Sequence, residues 1–183
     1  MKYLTPDLAQ VLERSECLFD RAAIDRALDV LADDVTADLK DSNPLALCVL
    51  NGGIVFSGHF LTRLPFSVQV DYIHASRYHG GLHGGELKWI AKPSTSLEGR
   101  TVLLLDDIFD QGYTMEGLRD ACLEQGAKAV YSVVLLTKEH ERDQVTYKPD
   151  YSALSVPDQY VYGFGMDYEH ELRNLDAIYA LKD

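Results

Sequence analysis

The segment Leu103–Met115, LLLDDIFDQGYTM, runs from apolar residues into three closely spaced carboxylates, Asp106, Asp107 and Asp110. The apolar part predicts a strand that is buried on both faces, as in the parallel sheets of α/β proteins. Carboxylates this close repel one another, so a chain that carries them usually places cations or hydroxyl groups between them. The segment therefore predicts an α/β sheet with a polar site at the end of one strand.

A helix is predicted directly after the carboxylates, so backbone N–H groups and a helix N-terminus converge beyond the strand. This geometry suits a phosphate, to which Thr114 adds a hydroxyl donor, while Gly112 permits close backbone approach or a positive φ. An anion cradle beside acceptor carboxylates fits a ribose 5-phosphate. The plainer alternative is a pair of solvated turn residues, with Asp110 as a helix cap.

Working outward, continuous runs rich in Val and Leu predict four strands buried on both faces: Leu45–Leu50, Val68–Ile73, Thr101–Asp106 and Val130–Leu136. The predicted helices are Ile54–Thr62, Thr114–Gln125 closed by Gly126, and two amphipathic helices between Thr5 and about Lys40. The alternation of strand and helix predicts an α/β fold with a doubly wound, mostly parallel sheet.

Length and composition favour a single domain over residues 1–183, since 46% of the 183 residues are apolar. The N-terminus shows neither a signal-peptide pattern nor a bilayer-spanning run, so we expect a cytoplasmic protein without a membrane partner. The net charge of −12, from 17 basic and 29 acidic residues, argues against a nucleic-acid partner. The cysteines match neither a disulfide framework nor a metal site: Cys17, Cys48 and Cys122.

The segment His74–Pro93 carries two glycine pairs and has no apolar period before Leu87. A loop of this length in a compact domain is often an active-site lid, and a flexible hairpin is the alternative. His79 and His83 are four residues apart in this segment, but they are flanked by glycines and not placed on a helix. A zinc site there is therefore not favoured.

The full pattern of apolar strand, Asp-Asp, two apolar residues, Asp and x-Gly-x-Thr resembles the phosphoribosyl-pyrophosphate-binding motif of type I phosphoribosyltransferases. No GxxxxGK[ST] loop occurs, and the aspartate spacing differs from the DxDxT of haloacid-dehalogenase-like phosphatases. Further segments follow the order seen in hypoxanthine-guanine phosphoribosyltransferases: LCVLNGGIVF (Leu47–Phe56), SRYHGG, VLLLTK (Val133–Lys138), YKPDY and VPDQYVYGFGMDYEHELRNL (Val156–Leu175). The resemblance covers roughly Leu45 to the C-terminus.

This resemblance implies a type I phosphoribosyltransferase fold with a mobile lid loop and a small hood region, to which the C-terminal part contributes. It implies a purine-salvage enzyme that moves ribose 5-phosphate from phosphoribosyl pyrophosphate to N9 of hypoxanthine or guanine, giving IMP or GMP and pyrophosphate. Mg²⁺ is the implied cofactor, and a homodimer or homotetramer is the implied assembly. The N-terminal helices, outside the close match, serve in assembly or cover the core.

By the same resemblance, Asp110 is the acid/base group near purine N7. Asp106 and Asp107 bind the ribose hydroxyls and, with Asp167, the metal. The residues of the 5-phosphate cradle are Gln111, Gly112, Tyr113 and Thr114. The pyrophosphate-binding residues are Asn51, Gly52, Arg173 and the two lid residues Ser76 and Tyr78.

Lys138, Tyr160 and Val161 are the implied purine-binding residues. An ammonium group has only donors, so Lys138 pairs with the 6-oxo group of a purine and not with the exocyclic amine of adenine. Tyr160 is placed to stack on the base, and Val161 to read its edge through backbone groups. Taken without the resemblance, Lys138 reads as a surface lysine at a strand end, and Tyr160 as part of an alternating strand with core aromatics.

Two residues depart from the usual family pattern: Gln111 replaces a small Thr or Ser, and Asn51 replaces a frequent lysine. The second change removes a positive charge beside an anionic substrate. Two other functions therefore stay open from sequence: a regulator that binds a nucleotide or phosphoribosyl pyrophosphate without turnover, and a xanthine-preferring transferase. Adenine is the least expected substrate because of Lys138.

Overall fold

The computed structural model of the protein describes residues 4–77, 87–139 and 147–182. The helices in these ranges are α1 (Pro6–Glu13), α2 (Arg21–Leu39), α3 (Gly53–Leu61) and α4 (Tyr113–Glu124). The strands are β1 (Ser15–Phe19), β2 (Leu45–Val49), β3 (Gln69–Arg77), β4 (Leu87–Ala91), β5 (Thr101–Phe109), β6 (Ala129–Glu139), β7 (Tyr151–Pro157), β8 (Val161–Tyr162) and β9 (Ile178–Leu181). Among the described helices, none combines the length and the hydropathy needed to cross a membrane.

Six strands form the main sheet, in the order β4-β3-β2-β5-β6-β7. Neighbouring strands run parallel except for β4, which is antiparallel to β3. The chain leaves β2 for β3 on one side and then builds β5, β6 and β7 on the other, so the order reverses between β2 and β5. The prediction of a doubly wound, mostly parallel α/β sheet is confirmed, and such a reversal is where these sheets bind ligands.

Helices cover both faces of the sheet and hold β5 between them. Leu103 and Leu105 pack in one apolar cluster with residues of α2 and α3, while Val102 and Leu104 pack in a second cluster with residues of α4. Both clusters are buried, as the uninterrupted apolar run predicts. The carboxyl end of β5 is therefore held on a rigid support.

Burial on both faces was predicted for all four apolar runs, and this prediction is wrong for β3. Every residue of β2 is buried, but Val70 and Tyr72 in β3 are 55% and 49% exposed. These two side chains lie on a face that the described helices leave uncovered. Apolar composition alone does not distinguish a strand near the sheet edge from a central one.

A smaller sheet, in the order β1-β9-β8, forms the hood together with α1. The prediction of two helices between Thr5 and Lys40 is correct for α1 and α2, but it missed β1 between them. Strand β1 pairs with β9 at the other end of the chain, with Ser15 opposite Leu181. A five-residue strand stabilised by so distant a partner leaves little local signal. Both ends of the chain therefore build the hood.

The predicted lid segment His74–Pro93 is not one long loop in its described parts. It begins inside β3 and ends just after β4, and these strands form the antiparallel pair that was the alternative prediction. Ser76 lies in β3. Three residues named above fall outside the described ranges, namely Tyr78, His79 and His83. Closure of this segment over a ligand stays a prediction.

Asp71 in β3 anchors the segment that connects β4 to β5. Its carboxylate accepts hydrogen bonds from the N–H groups of Tyr72, Ser94 and Thr95, at 2.8, 2.9 and 2.8 Å, and from the Ser94 hydroxyl at 2.9 Å. Partial burial raises the pKa of Asp71, but the hydrogen bonds from Thr95, Tyr72 and Ser94 outweigh it and lower this pKa to about 2.

We expect this carboxylate to make stability depend on pH in the acid range. A lowered folded-state pKa stabilises the protein above the ordinary Asp value of about 3.9 and stops doing so as the pH falls toward 2. Asp71→Asn should lower the free energy of unfolding by about 1–2 kcal/mol at pH 7, and this deficit should shrink toward pH 2. Chemical denaturation of both proteins across this pH range measures it. A deficit that is independent of pH would contradict the assignment.

Candidate active site

The predicted site residues gather along the carboxyl edge of the main sheet, where β2, β5, β6 and β7 end. The predicted strand ended at Asp106 and left Asp107 beyond it, whereas β5 continues to Phe109 and contains both. The reason is pairing with β6, which extends to Phe109 opposite Thr137. The carboxylates are thus held by a strand ladder and not by a turn.

Asp106 and Asp107 form a closely coupled acidic pair. The N–H of Asp107 donates to Oδ1 of Asp106 at 3.0 Å, and the N–H of Ile108 donates to Oδ1 of Asp107 at 2.9 Å. Burial raises the pKa of Asp106 well above its ordinary value, and the charge of Asp107 raises it further. Burial also raises the pKa of Asp107, which is 8% exposed. The pair is suited to hydroxyl groups or to a cation, since two buried charges of one sign destabilise each other.

The turn into α4 has the positive φ that was predicted as one possibility for Gly112, while its role as a phosphate cradle stays a prediction. Gly112 has φ of +76° and precedes the first residue of α4, so the first-turn N–H groups of the helix open onto the strand end. A side chain at Gly112 would collide with the Phe109 ring, because a Cβ atom there would lie 2.5 Å from Cζ. Gln111 and Tyr113 are exposed, and Thr114 is partly buried. The cradle therefore depends on backbone shape, which the exposed Gln111 side chain leaves unaltered.

The Phe109 ring lies beneath this turn, and the Tyr147 ring packs against it. The two ring centroids are 5.9 Å apart, and the Tyr147 hydroxyl donates to Oγ of buried Ser132 at 2.8 Å. Sequence analysis did not single out either aromatic residue. They hold the floor of the cradle in place.

The segment after β2 lies directly against the acidic pair. The Leu50–Asn51 peptide bond is cis, Asn51 is exposed, and α3 begins at Gly53. A Cβ atom at Gly53 would lie 2.6 Å from the carbonyl oxygen of Leu105, and one at Gly52 would overlap the Asp107 carboxylate. Glycines here allow the loop to approach β5 closely.

Gly52→Ala should disturb the site without disturbing the fold. The added methyl group must displace the Asp107 carboxylate. We therefore expect kcat/KM for a substrate that binds this carboxylate to fall about 10-fold or more. Gly58→Ala is the matched control, because Gly58 lies on α3, which directly follows Gly52, and its new Cβ would have no neighbour within 4 Å. Steady-state kinetics on both variants make the comparison; equal behaviour would show that Gly52 does not constrain Asp107.

The hood brings Arg173 and Asp167 to the same edge of the sheet. Nη2 of Arg173 lies 2.7 Å from Oδ1 of Asp167, and its Nη1 donates to the carbonyl oxygen of Gly165 at 2.8 Å. A Cβ atom at Gly165 would overlap the carbonyl oxygen of Gly52, so the hood loop touches the loop after β2. Two residues predicted to bind pyrophosphate and metal are thus paired with each other beside the acidic pair.

Phe164 fixes this hood loop to the main sheet. Its ring is 1% exposed, stacks on His59 of α3 at 5.1 Å and lies under the guanidinium of Arg21 at 5.8 Å. Its φ of +48° is unusual for a residue other than glycine. No sequence pattern predicted this anchor.

Lys138 lies beside Asp110, as a shared role for the two residues requires. Its Nζ is 3.6 Å from Oδ2 of Asp110 and 3.6 Å from Oδ1 of Asp158. The Lys138 side chain is 15% exposed, so most of it is removed from water. Its contact with a base stays a prediction. Asp158 was missed in the sequence analysis, although it follows β7 as Asp110 follows β5.

Tyr160 presents an exposed ring, while its neighbours are buried. Tyr160 is 50% exposed, whereas Tyr162 and Phe164 are 0% and 1% exposed. The Tyr160 hydroxyl donates to the carbonyl oxygen of Asp167 at 3.1 Å, and its ring meets Tyr168 edge-on at 5.9 Å. Val161 lies in β8 and is buried. Tyr162 and Phe164 are core aromatics, as the alternative predicted, but residues 161–166 are all buried and β8 ends at Tyr162, so the predicted alternating strand is not formed. The Tyr160 ring stands outside the core.

Comparison with known proteins identifies the family of this chain. Residues 16–171 match the phosphoribosyl transferase domain family. The hypoxanthine-guanine phosphoribosyltransferase of Lactococcus lactis is 35% identical over 153 residues, which cover 83% of this chain and 82% of that protein. A solved structure of a hypoxanthine phosphoribosyltransferase from Staphylococcus aureus superimposes with a TM-score of 0.88 at 26% identity, covering 98% of this chain and 97% of that one. A hypoxanthine-guanine-xanthine phosphoribosyltransferase structure gives 0.82 at 29% identity, over 92% and 97%. The chain belongs to the phosphoribosyltransferase family and, within it, to the hypoxanthine-guanine phosphoribosyltransferases.

Proposed function

We propose that this protein transfers the 5-phosphoribosyl group of phosphoribosyl pyrophosphate to N9 of hypoxanthine or guanine, releasing pyrophosphate, in purine salvage. The observation that carries the proposal is the row of groups along one sheet edge: an acidic pair, a phosphate cradle, and Asp110 beside Lys138. A sugar phosphate and a purine would lie next to each other on this edge. The reacting N9 and C1 atoms belong between them.

The sugar half of the substrate is bound by backbone and carboxylate groups. The first turn of α4 and Thr114 hold the 5-phosphate, and Asp106 and Asp107 accept hydrogen bonds from the ribose hydroxyls. Burial raises the pKa of both carboxyl groups, and the charge of Asp107 raises the pKa of Asp106 further, so hydrogen bonds from the ribose hydroxyls would stabilise the pair. Asn51, Gly52 and Arg173 face the pyrophosphate, with Ser76 and Tyr78 contributed by the lid.

The purine half is bound between a ring and an ammonium group. Tyr160 stacks on the base, Lys138 donates to its 6-oxo group, and backbone groups at Val161 contact its edge. Asp110 then lies near N7. Because Lys138 is largely buried and offers only donors, adenine would place its amine against a group that cannot accept a hydrogen bond.

Proton transfer falls to Asp110. As N9 attacks C1 and the bond to pyrophosphate breaks, the N7 proton becomes acidic, and the Asp110 carboxylate accepts or shares it. Arg173 stabilises the charge that grows on the leaving pyrophosphate, exchanging part of its ion pair with Asp167 for the phosphate oxygens. Closure of the lid keeps water from the activated sugar.

The acidic residues at this edge fit Mg²⁺ as the cofactor. Within the described ranges, no group of three or more His, Cys, Asp or Glu side chains is arranged to hold a metal ion by itself. Mg²⁺ in phosphoryl-group sites is usually held by one or two carboxylates together with substrate oxygens and water. The carboxylates that would hold it are Asp106, Asp107 and Asp167. When bound, Mg²⁺ neutralises charge on the leaving group.

We further propose that residues 1–183 act as one unit, since strands from both ends of the chain form the hood sheet. Assembly as a homodimer or homotetramer and a cytoplasmic location stay predictions from the sequence.

The reaction is tested by incubating the purified protein with phosphoribosyl pyrophosphate, hypoxanthine and Mg²⁺. We expect IMP and pyrophosphate to appear in equal amounts, and a chelator of divalent cations to stop the reaction. Guanine should give GMP in the same way. Tight binding of GMP without any product would contradict the proposal and support the non-catalytic regulator, while turnover of xanthine alone would support the xanthine-preferring transferase.

A further inference from the structure

We propose that Asp158 is a positioning residue that sets base selectivity by orienting Lys138. This inference rests on the proposed function, because it assigns a role in reading the purine. Nζ of Lys138 lies between two carboxylates, at 3.6 Å from Asp110 and at 3.6 Å from Asp158. Only Asp110 has a role in the chemistry described above.

The topology of the sheet explains how the three charges meet. Asp110 directly follows β5, Lys138 lies near the end of β6, and Asp158 directly follows β7. These three strands are parallel neighbours, so their carboxyl ends lie side by side. The register places Lys138 opposite Val156, two residues before Asp158. The result is a row of acid, base and acid across adjacent strands.

A lysine ammonium group has three N–H donors and can rotate to point them in many directions. Each carboxylate lies 3.6 Å from Nζ, which is an ion-pair distance and longer than a direct hydrogen bond. The two negative charges therefore restrain the position of the ammonium group, and its N–H donors can be offered to a purine 6-oxo group. With Asp158 in place, the ammonium group stays between the two carboxylates and does not pair with Asp110 alone. It therefore also keeps its position when a base with an exocyclic amine enters.

Burial makes this orientation necessary. The Lys138 side chain is 15% exposed, whereas Asp110 and Asp158 are 46% and 43% exposed. A charge that is mostly removed from water requires partners of opposite charge. If Asp158 were absent, Lys138 would pair with Asp110 alone. This pairing would compete with the purine O6 for the Lys138 ammonium group and with the N7 proton for the Asp110 carboxylate.

Asp158→Asn tests the proposal by steady-state kinetics with each substrate varied. We expect KM for hypoxanthine to rise about 10-fold and KM for phosphoribosyl pyrophosphate to change less than about 2-fold, the size of one lost charge-assisted contact. The ratio of kcat/KM for hypoxanthine to that for adenine should fall by about the same factor of 10. Asp158→Glu, which keeps the charge, should restore most of the ratio.

The matched control is Glu139→Gln, which removes one negative charge from the residue next to Lys138. Glu139 is exposed and accepts a hydrogen bond from Ser155 at 2.8 Å, so it serves a different contact. Its kinetic constants should match those of the unaltered protein. Equal effects of Glu139→Gln and Asp158→Asn would reduce Asp158 to a general electrostatic contribution and overturn the proposal.

A double variant separates orientation of Lys138 from a merely structural effect. If Asp158 acts through Lys138, then Asp158→Asn should change nothing further in a Lys138→Ala background. Additive losses, or a parallel rise in both Michaelis constants, would show that Asp158 supports the fold and not the ammonium group.

Binding measurements keep this test independent of turnover. Asp158→Asn should weaken binding of IMP about 10-fold and leave binding of AMP within about 2-fold, as one selective contact requires. If the unaltered protein turns over no base but shows this difference, the proposed function fails while the role of Asp158 stands. Unchanged binding of IMP would overturn the role of Asp158 alone, and binding of neither nucleotide would overturn both.

Discussion

Asp110→Asn is expected to lower the turnover number by ~10²-fold or more, the usual size of a general acid/base contribution. An amide has the shape of a carboxylate but does not take up a proton at neutral pH. Asp110 is 46% exposed at the end of β5, so the substitution should leave the core intact. KM for phosphoribosyl pyrophosphate should change little, because the cradle and the acidic pair do not depend on Asp110. Rapid-quench measurement of a single turnover reports the transfer step directly.

The control for this variant is Asp120→Asn, an exposed carboxylate on α4, the helix that follows Asp110 in the chain. It should turn over like the unaltered protein and have the same thermal melting temperature. A near-normal turnover number for Asp110→Asn would remove Asp110 from proton transfer.

Lys138→Ala is expected to weaken binding of the base far more than binding of phosphoribosyl pyrophosphate. A site built around a buried donor rejects the wrong partner by up to ~10⁴-fold, so loss of the ammonium should cost ~10²-fold or more in kcat/KM for hypoxanthine. Selectivity against adenine should fall with it, because the group that opposed the exocyclic amine is gone. Initial rates with each substrate varied in turn separate the two Michaelis constants.

Lys128→Ala serves as the comparison for this loss, because Lys128 is exposed just before the opposite end of β6. It should leave both Michaelis constants unchanged. If Lys138→Ala also left both unchanged, the Lys138 ammonium would not contact the base, and the proposed basis of selectivity would be wrong.

The sequence predicted the parts of the fold that have a strong local signal. Strands β2 and β5 are continuous apolar runs, and α4 ends beside Gly126, which has φ of +86°. The carboxylates and the glycine after Leu105 are also a strong local signal, and they predicted the turn into α4. Strands β1, β8 and β9 were missed because they are short and depend on each other across the whole chain.

The site was less predictable where it depends on distant contacts. The resemblance indicated Lys138 and Asp110, and the structure places them together, but Asp158 was overlooked because β7 itself was not predicted. The alternative of core aromatics predicted burial of Phe164, but its φ of +48° and its contact with His59 leave no sequence pattern. Gly165 was not singled out either, because its close approach to Gly52 joins two segments that are distant in sequence.

The two departures from the family pattern have different structural settings. Gln111 is exposed, and the cradle that it borders relies on Gly112 and on the N–H groups of α4. Asn51 is also exposed, but it lies on the loop beside Asp107, where a lysine would have placed a positive charge. Arg173 is the described cation that acts on Asp107, where it partly offsets the rise in that pKa that burial causes. We therefore expect pyrophosphate binding to depend more on Arg173 than on the Asn51 loop.

The most direct measurement of the central claim is a comparison of initial rates with hypoxanthine, guanine, xanthine and adenine, each with saturating phosphoribosyl pyrophosphate and Mg²⁺. We expect turnover of hypoxanthine or guanine, and turnover of adenine that is slower by up to ~10⁴-fold, because Lys138 reads the oxygen at position 6. Turnover of adenine at a rate comparable to that of hypoxanthine would contradict the account.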